Sequence, residues 1–469
     1  MINKEPYKHK GNALTTDQAK NIDTIYALSS AAGKAGISVI RVSGPKAWNS
    51  LKNLTKSQKI PEHATAVTRT LHSNDDNQID HAMIIGFHSP KSFTGEDVIE
   101  YHCHGSPAIL EEMLEVLSKQ DGHRLAQHGE FTRRAFENGK LDLTAAEAIA
   151  DLIDAETKSQ KEQALNQMGG ALADLYNGWA KELTKALAYI EAIIDFPDED
   201  VPDDETAKAK PAIEKLALDI KNHLNDNRRG ERLRSGVQVA IVGAPNAGKS
   251  SLINALAQRD VAIVSNMAGT TRDVLEVPLN LGGYPVNIAD TAGLRPDQIG
   301  TEGQDSIESE GIKRALKRAE DADITLLLFD GSVDKADEHT LNLIDDRALV
   351  LINKSDLLGD KNFVIADGIN PIKISTKTED GFDEFLDQLT ALIADKMKNK
   401  SDTPSLTRQR HRLHLEEAQN FLDLSLKQEA PELMAQELRF AVNALGRITG
   451  QVDVEDLLDV IFKDFCIGK

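Results

Sequence analysis

Apolar positions fall into two rhythms that trade places along the chain. Between residues 23 and 125, "GISVIRVSG" (36–44) and "AMIIGFH" (82–88) read as buried strands. "AILEEMLEVLSKQ" (108–120) carries the spacing of an amphipathic helix. From about residue 126 helical spacing takes over. "LTAAEAIADLIDAETKSQKEQAL" predicts a helix opened by a capping box of Thr144 and Glu147 before Ile149, Leu152 and Ile153. "WAKELTKALAYIEAIID" continues the pattern, "FPDEDVPDD" interrupts it, and helix resumes to about 230. Strand and helix alternate again over 236–398, the mark of a doubly wound α/β domain. After "KNKSDTP" the pattern is helical to the tail.

The expected architecture is multidomain α/β plus all-α. Residues 1–22 form an N-terminal tail and 23–125 an α+β domain. Residues 126–235 and 399–469 make a helical domain into which the α/β unit 236–398 is inserted.

Composition narrows the class. The chain has 469 residues, 40% hydrophobic and 4% aromatic, enough for several cores. Its formal net charge of −21 repels nucleic-acid phosphates on average, so RNA contact requires a local basic patch or a partner's surface. Two basic clusters, 228–234 and 408–412, are candidates, against the plainer reading of helix and linker residues paired with nearby acids. Cys103 and Cys466 are the only cysteines, which fits a reducing compartment. No signal peptide or long apolar run is visible, so the expectation is a cytoplasmic protein without a membrane segment.

The strongest motif runs from Gly243 to Ser250, "GAPNAGKS", between the strand "VQVAIV" and the helix "SSLINALAQ". This is P-loop spacing in P-loop context. Glycines let backbone N–H groups turn toward phosphates, and the helix N-terminus adds positive potential. Gly243, Asn246, Ala247, Gly248, Lys249, Ser250 and Ser251 would surround the phosphates, with Lys249 on the β- and γ-phosphates and Ser250 on Mg²⁺. Asp290, Thr291, Ala292 and Gly293 follow a strand and suit the magnesium shell and γ-phosphate. Asn353, Lys354 and Asp356 follow another strand, and Asp356 can accept two hydrogen bonds from guanine. Ser375 and Lys377 fit the loop that backs the base. Thr271, in "NMAGTTRD", is the candidate switch threonine. The order predicts a Ras-like GTP-binding domain that hydrolyses GTP to GDP and phosphate.

Leu294 stands where many GTPases place a water-orienting glutamine, and no arginine is an obvious finger in cis. A monovalent cation held by oxygen ligands, Asn246 among them, would supply the missing charge. Glu302, Asp305, Glu308 and Glu310 are the acids near enough in sequence to position water, or they are solvated loop residues.

With these residues assembled, the chain resembles the tRNA modification GTPase family MnmE, also called TrmE. The likeness runs from about Asp23 to Lys469 through "SFTGEDVIEYHCHG", "GEFTRRAFENGKLDLTAAEAIADLIDA", "IDFPDED", "AGTTRDV", "DTAGLR" and the terminal "FCIGK". "CIGK" is therefore a family ending and not a prenylation box. The resemblance implies a homodimer built through N-terminal domains that bind a reduced folate, 5-formyl- or methylene-tetrahydrofolate. It implies an FAD-dependent partner, MnmG, in a heterotetramer or larger assembly that modifies C5 of the wobble uridine of certain tRNAs with aminomethyl or carboxymethylaminomethyl groups. It also implies hydrolysis activated by potassium. The carried-over K⁺ ligands are Asn246, Ser265, Met267 and Thr270, and Mg²⁺ sits on Ser250 and Thr271. The catalytic set is Glu308 with Asn246 and Lys249, with Glu302 or Glu310 as alternatives because the stretch from Asp290 is long. The folate residues are Arg41, Glu100, Lys140 and Lys469. Two other readings stand beside this one. One is an RNA-binding regulatory GTPase switch in ribosome assembly, without one-carbon chemistry. The other treats folate as a regulatory ligand.

Overall fold

Strand alternation in the N-terminal part builds one face of a sheet against two helices. The computed structural model describes residues 23–195, 203–259, 261–263, 276–290, 317, 320–359, 365, 368–398, 403–452, 454–463 and 465–468. The strands are β1 (Thr24–Leu28), β2 (Ala35–Ser43), β3 (Ala66–His72), β4 (Gln78–Phe87), β5 (Val98–Gly105) and β6 (His123–Leu125). They lie in the order β3-β4-β5-β2-β1-β6, with only the β1–β6 pair parallel. Ile40, Val42, Tyr101 and Cys103 point inward and pack with Leu51, Leu54, Met113 and Leu117 of α1 (Ala47–Thr55) and α2 (Pro107–Ser118). Cys103 is a core side chain, and burial pushes its thiol up to about 12, so it is no nucleophile. Glu100, His102 and His104 alternate onto the other face.

The described residues divide into two compact units. One runs to Ala150 and adds Gln167–Leu216 and the chain from Glu417. In it α3 (Glu130–Glu137) follows the sheet. The 25-residue helix Ala171–Asp195 lies along the helix Pro431–Thr449, joined by an Arg439–Glu191 ion pair and an Asn177–Thr449 hydrogen bond. Helix α4 spans Leu143–Ile153. Its start differs from the capping-box expectation. Asp142, one residue earlier, accepts from Thr144 Oγ1 and the Ala145 amide, so Thr144 is already helical. An aspartate bonds orphan amides as well as a threonine does and won the position.

The same unit ends in a strap. Phe462 and Phe465 pack with Phe136 and Leu143. The Gly129 amide donates to Cys466 O, and Ser29 Oγ to Gly468 O at 2.9 Å. His128 Nδ1 lies 2.9 Å from Phe465 O. Gly468 has φ +97°, and a Cβ there would strike the Leu28 carbonyl.

The second unit holds Asp151–Asn166 and Ala217–Glu416. Its strands are β7 (Val237–Val242), β8 (Glu276–Leu281), β9 (Tyr284–Asp290), β10 (Ile324–Asp330), β11 (Ala348–Asn353) and β12 (Ile372–Lys373). Their order is β12-β11-β10-β7-β9-β8, parallel except at β8–β9, as the alternation predicts. α5 (Lys249–Ala257) and the helix Phe382–Met397 cover a core of Val239, Ile241, Leu326, Leu351, Phe382 and Phe385. Each such apolar side chain contributes about 1.5–3 kcal/mol on burial.

A charged chain ties α3 to the sheet. Glu130 accepts from Arg124, from the Gln127 amide at 2.8 Å and from Arg134 at 3.0 Å. Burial alone would raise its carboxyl, but these donors hold it at about 2, down from 4.5. The group is depressed in the fold, so its stabilisation is complete above 4.5 and disappears as pH falls toward about 2. Glu130→Gln is expected to cost about 1–3 kcal/mol at neutral pH. It should also flatten the acid limb of stability in that window, read by urea unfolding at stepped pH.

Candidate nucleotide site and N-terminal pocket

β7 runs between β9 and β10 and delivers Gly243 to the carboxyl edge of the sheet, where ligands of doubly wound folds bind. The loop then turns through Asn246 at φ +65° and Gly248 at φ +99° into α5. Gly248 is required twice. Its φ is left-handed, and a Cβ would collide with the Asn353 amide nitrogen. Lys249 Nζ folds back onto Gly243 O at 2.8 Å and Ala244 O at 3.0 Å, so the ammonium already sits over the loop that phosphates would fill. Ser250 and Ser251 open α5 on the same loop.

The base side is built from β11 and the loop after β12. Asn353 is fully buried; it donates to Ala247 O at 2.8 Å and accepts from the Thr376 amide at 3.1 Å. Asp356 Oδ1 accepts from Ser375 Oγ at 2.7 Å, and Ser375 Oγ in turn accepts from the amides of Lys377 and Thr378. One oxygen of Asp356 is thus braced, which presents the carboxylate for an amide–amine pair of donors such as guanine offers. Lys354 takes φ +60°, and its Nζ lies 2.6 Å from Asp330 Oδ2. Sequence reading missed Asp330. It ends a plain apolar strand and belongs to no spaced motif, so the only signal was its place at a strand's carboxyl end.

Several expected residues cannot be placed. Asp290 closes β9 opposite Ile241, but its side chain lies outside the described residues. So do Ser265, Met267, Thr270, Thr271, Thr291, Ala292, Gly293, Glu302, Asp305, Glu308, Glu310 and Lys469.

In the N-terminal sheet, Arg41 and Glu100 face each other across β2 and β5. Arg41 donates to Glu100 Oε1 from Nε at 3.1 Å and Nη2 at 2.9 Å, and His102 Nε2 lies 3.3 Å from Glu100 Oε2. The guanidinium sits 5.7 Å from the ring centres of both Phe93 and Phe131. The two residues are therefore one paired unit rather than two separate ligand groups. Lys140 Nζ donates to Pro90 O at 2.9 Å, on the loop that carries Phe93. Asn138 donates to Thr94 O, while Arg134 and Ser43 both bond Glu96, so that loop is pinned at several points. His104 is paired with Asp80, and no group of three or more metal-ligating side chains occurs among the described residues.

The basic clusters are largely consumed by structure. Arg412 bonds Asp226 and Glu231, and Arg408 and Arg234 share Asp151. Arg232 pairs with Asp323, and Arg229 with Ser405. These contacts favour the plainer reading, that the arginines join helices to one another and to the α/β sheet. Among the described residues no helix is long and apolar enough to cross a membrane.

A phosphate loop and a guanine-type pocket on one doubly wound sheet define a P-loop guanine-nucleotide-binding protein. The model for the GTP-binding protein TrmE N-terminus matches residues 24–140, and the MnmE helical domain model matches residues 143–466. The tRNA modification GTPase MnmE of Parvibaculum lavamentivorans is 51% identical over 96% of this chain and 100% of its own length. The Rhodospirillum rubrum protein of that name is 47% identical and the Rickettsia canadensis one 46%, with the same coverage. The chain belongs to the MnmE family of tRNA modification GTPases.

Two hydrogen bonds from a guanine edge to the Asp356 carboxylate would be worth about 1.5 kcal/mol each. Asp356→Asn is expected to weaken GTP binding by roughly 100-fold or more. The same variant should improve XTP, whose 2-oxo group accepts from the new amide; fluorescent-nucleotide titration with both bases checks this.

Proposed function

We propose that this GTPase drives folate-dependent C5 modification of the wobble uridine of certain tRNAs, as a potassium-activated homodimer working in the cytoplasm with the FAD-dependent protein MnmG. The observation that carries the reading is the phosphate loop. Asn246 stands at its outer turn with an exposed amide. No glutamine follows the Asp290–Gly293 motif to orient water. An amide oxygen at that turn suits a cation ligand, and Ser265, Met267 and Thr270 complete the proposed K⁺ shell. Ser250 and Thr271 take Mg²⁺, and Glu308 positions water. Gly243, Ala247, Gly248, Lys249 and Ser251 hold the phosphates with the Asp290–Gly293 segment. Asn353, Lys354, Asp356, Ser375 and Lys377 hold the base.

The N-terminal pair supports a reduced folate as one-carbon carrier. Arg41 gives Nε and Nη2 to Glu100, and among the described residues its Nη1 has no partner. That donor fits the 4-oxo oxygen of a pterin, while Glu100 beside it fits the amino-amide edge of the same ring. Phe93, partly exposed on the pinned loop, offers an aromatic face. Lys140 and Lys469 complete the folate set. MnmG, in a heterotetramer or larger, supplies flavin chemistry, and the tRNA contacts this larger assembly.

GTP turnover should rise by about tenfold or more in KCl over NaCl at equal ionic strength, because a fixed positive charge at the leaving phosphate is worth at least that much. Asn246→Ala should lose the potassium response while still binding GTP. Equal rates in both salts would remove the cation and favour a ribosome-assembly switch with an external activator.

A further inference from the structure

We propose that Asp330 is a positioning residue for guanine recognition, acting through Lys354. The inference rests on the assignment of the base pocket to Asn353, Asp356 and Ser375. β10 and β11 are parallel neighbours, and Asp330 stands in register with Asn353. Asp330 and Lys354 therefore leave adjacent strands at the same carboxyl edge. Gly331 keeps that edge tight. Its amide donates to Asn353 O at 2.8 Å, and a Cβ there would sit 2.8 Å from the same oxygen.

The pair is fixed from both sides. Asp330 Oδ1 accepts from the Ser332 amide at 2.9 Å and from Ser332 Oγ at 2.5 Å, which leaves Oδ2 directed at the lysine. Lys354 Nζ meets it at 2.6 Å. The lysine backbone is left-handed at φ +60°, a conformation that costs a non-glycine residue free energy. Strain of this kind persists where the surroundings dictate the direction of a side chain. Here the ammonium is anchored at its tip and the backbone at its root. The four-carbon stem between them is held as an apolar bar two residues before Asp356. A purine whose edge is bonded by Asp356 needs one face covered, and the stem is the group placed to cover it. Freed from Asp330, the lysine gains rotamers and the face is covered only part of the time.

The contact concerns the base and not the γ-phosphate. GTP and GDP should therefore weaken equally, and KM should rise while kcat holds. Asp330→Asn keeps the volume and an oxygen for Ser332 but loses the charge. It is expected to weaken mant-GTP and mant-GDP alike by about tenfold. Lys354→Ala should do the same, and the double variant should be no weaker than either single one. Asp356→Asn serves as the control. Wild-type affinity in Asp330→Asn beside a large loss in Asp356→Asn would overturn the role of Asp330 and leave the pocket standing. Wild-type affinity in both would overturn the pocket itself. Additive losses, tighter binding, or a fall in kcat at unchanged KM would also sink the proposal, since a merely structural pair moves thermal stability without this pattern.

Discussion

One buried amide fixes the geometry of the nucleotide site. Asn353 donates to the phosphate loop at Ala247 O and accepts from the base loop at the Thr376 amide. Its backbone oxygen accepts from Gly331, where β10 gives way to its loop. Three loops that meet nowhere else in sequence are thus referenced to one residue with no solvent exposure. A buried amide left unpaired is costly, so each loop is held where it satisfies Asn353. Gly248 follows from the same constraint, because a larger residue would occupy the place of the amide nitrogen.

Charge is managed by pairing. The chain is strongly acidic, yet many of its arginines lie inside networks rather than on a free basic surface. The arginines around 228–234 and 408–412 bond acids from distant segments and so hold the helices to each other. Arg124, Glu130, Arg134, Glu96 and Ser43 do the same between α3, the sheet and the loop that carries Phe93. Arginine suits these places because its planar fork donates to several oxygens without losing its charge.

The C-terminus shows a second use of backbone constraint. Phe462 and Phe465 anchor the strap in the core, and glycine at 468 admits it beside Leu28. Cys466 is thereby delivered to a defined place by its neighbours, and its own backbone oxygen takes part in the docking.

Much of this protein was legible in its sequence. The strand–loop–helix of the phosphate site and the alternation of its parallel sheet follow from periodicity and glycine placement, which are local properties. The family likeness rested on motifs of the same local kind. Local reading erred where two residues competed for one duty, as at the start of α4, where Asp142 rather than Thr144 bonds the orphan amides. Tertiary structure alone decided the rest. Only strand register puts Arg41 against Glu100 and Asp330 beside Lys354, because residues far apart in sequence become neighbours through a ladder of backbone hydrogen bonds. Only packing shows that most arginines of the basic clusters are spent on acids brought near by the fold. Sequence spacing names the groups that carry charge; the fold decides which of them neutralise each other and which remain for a ligand.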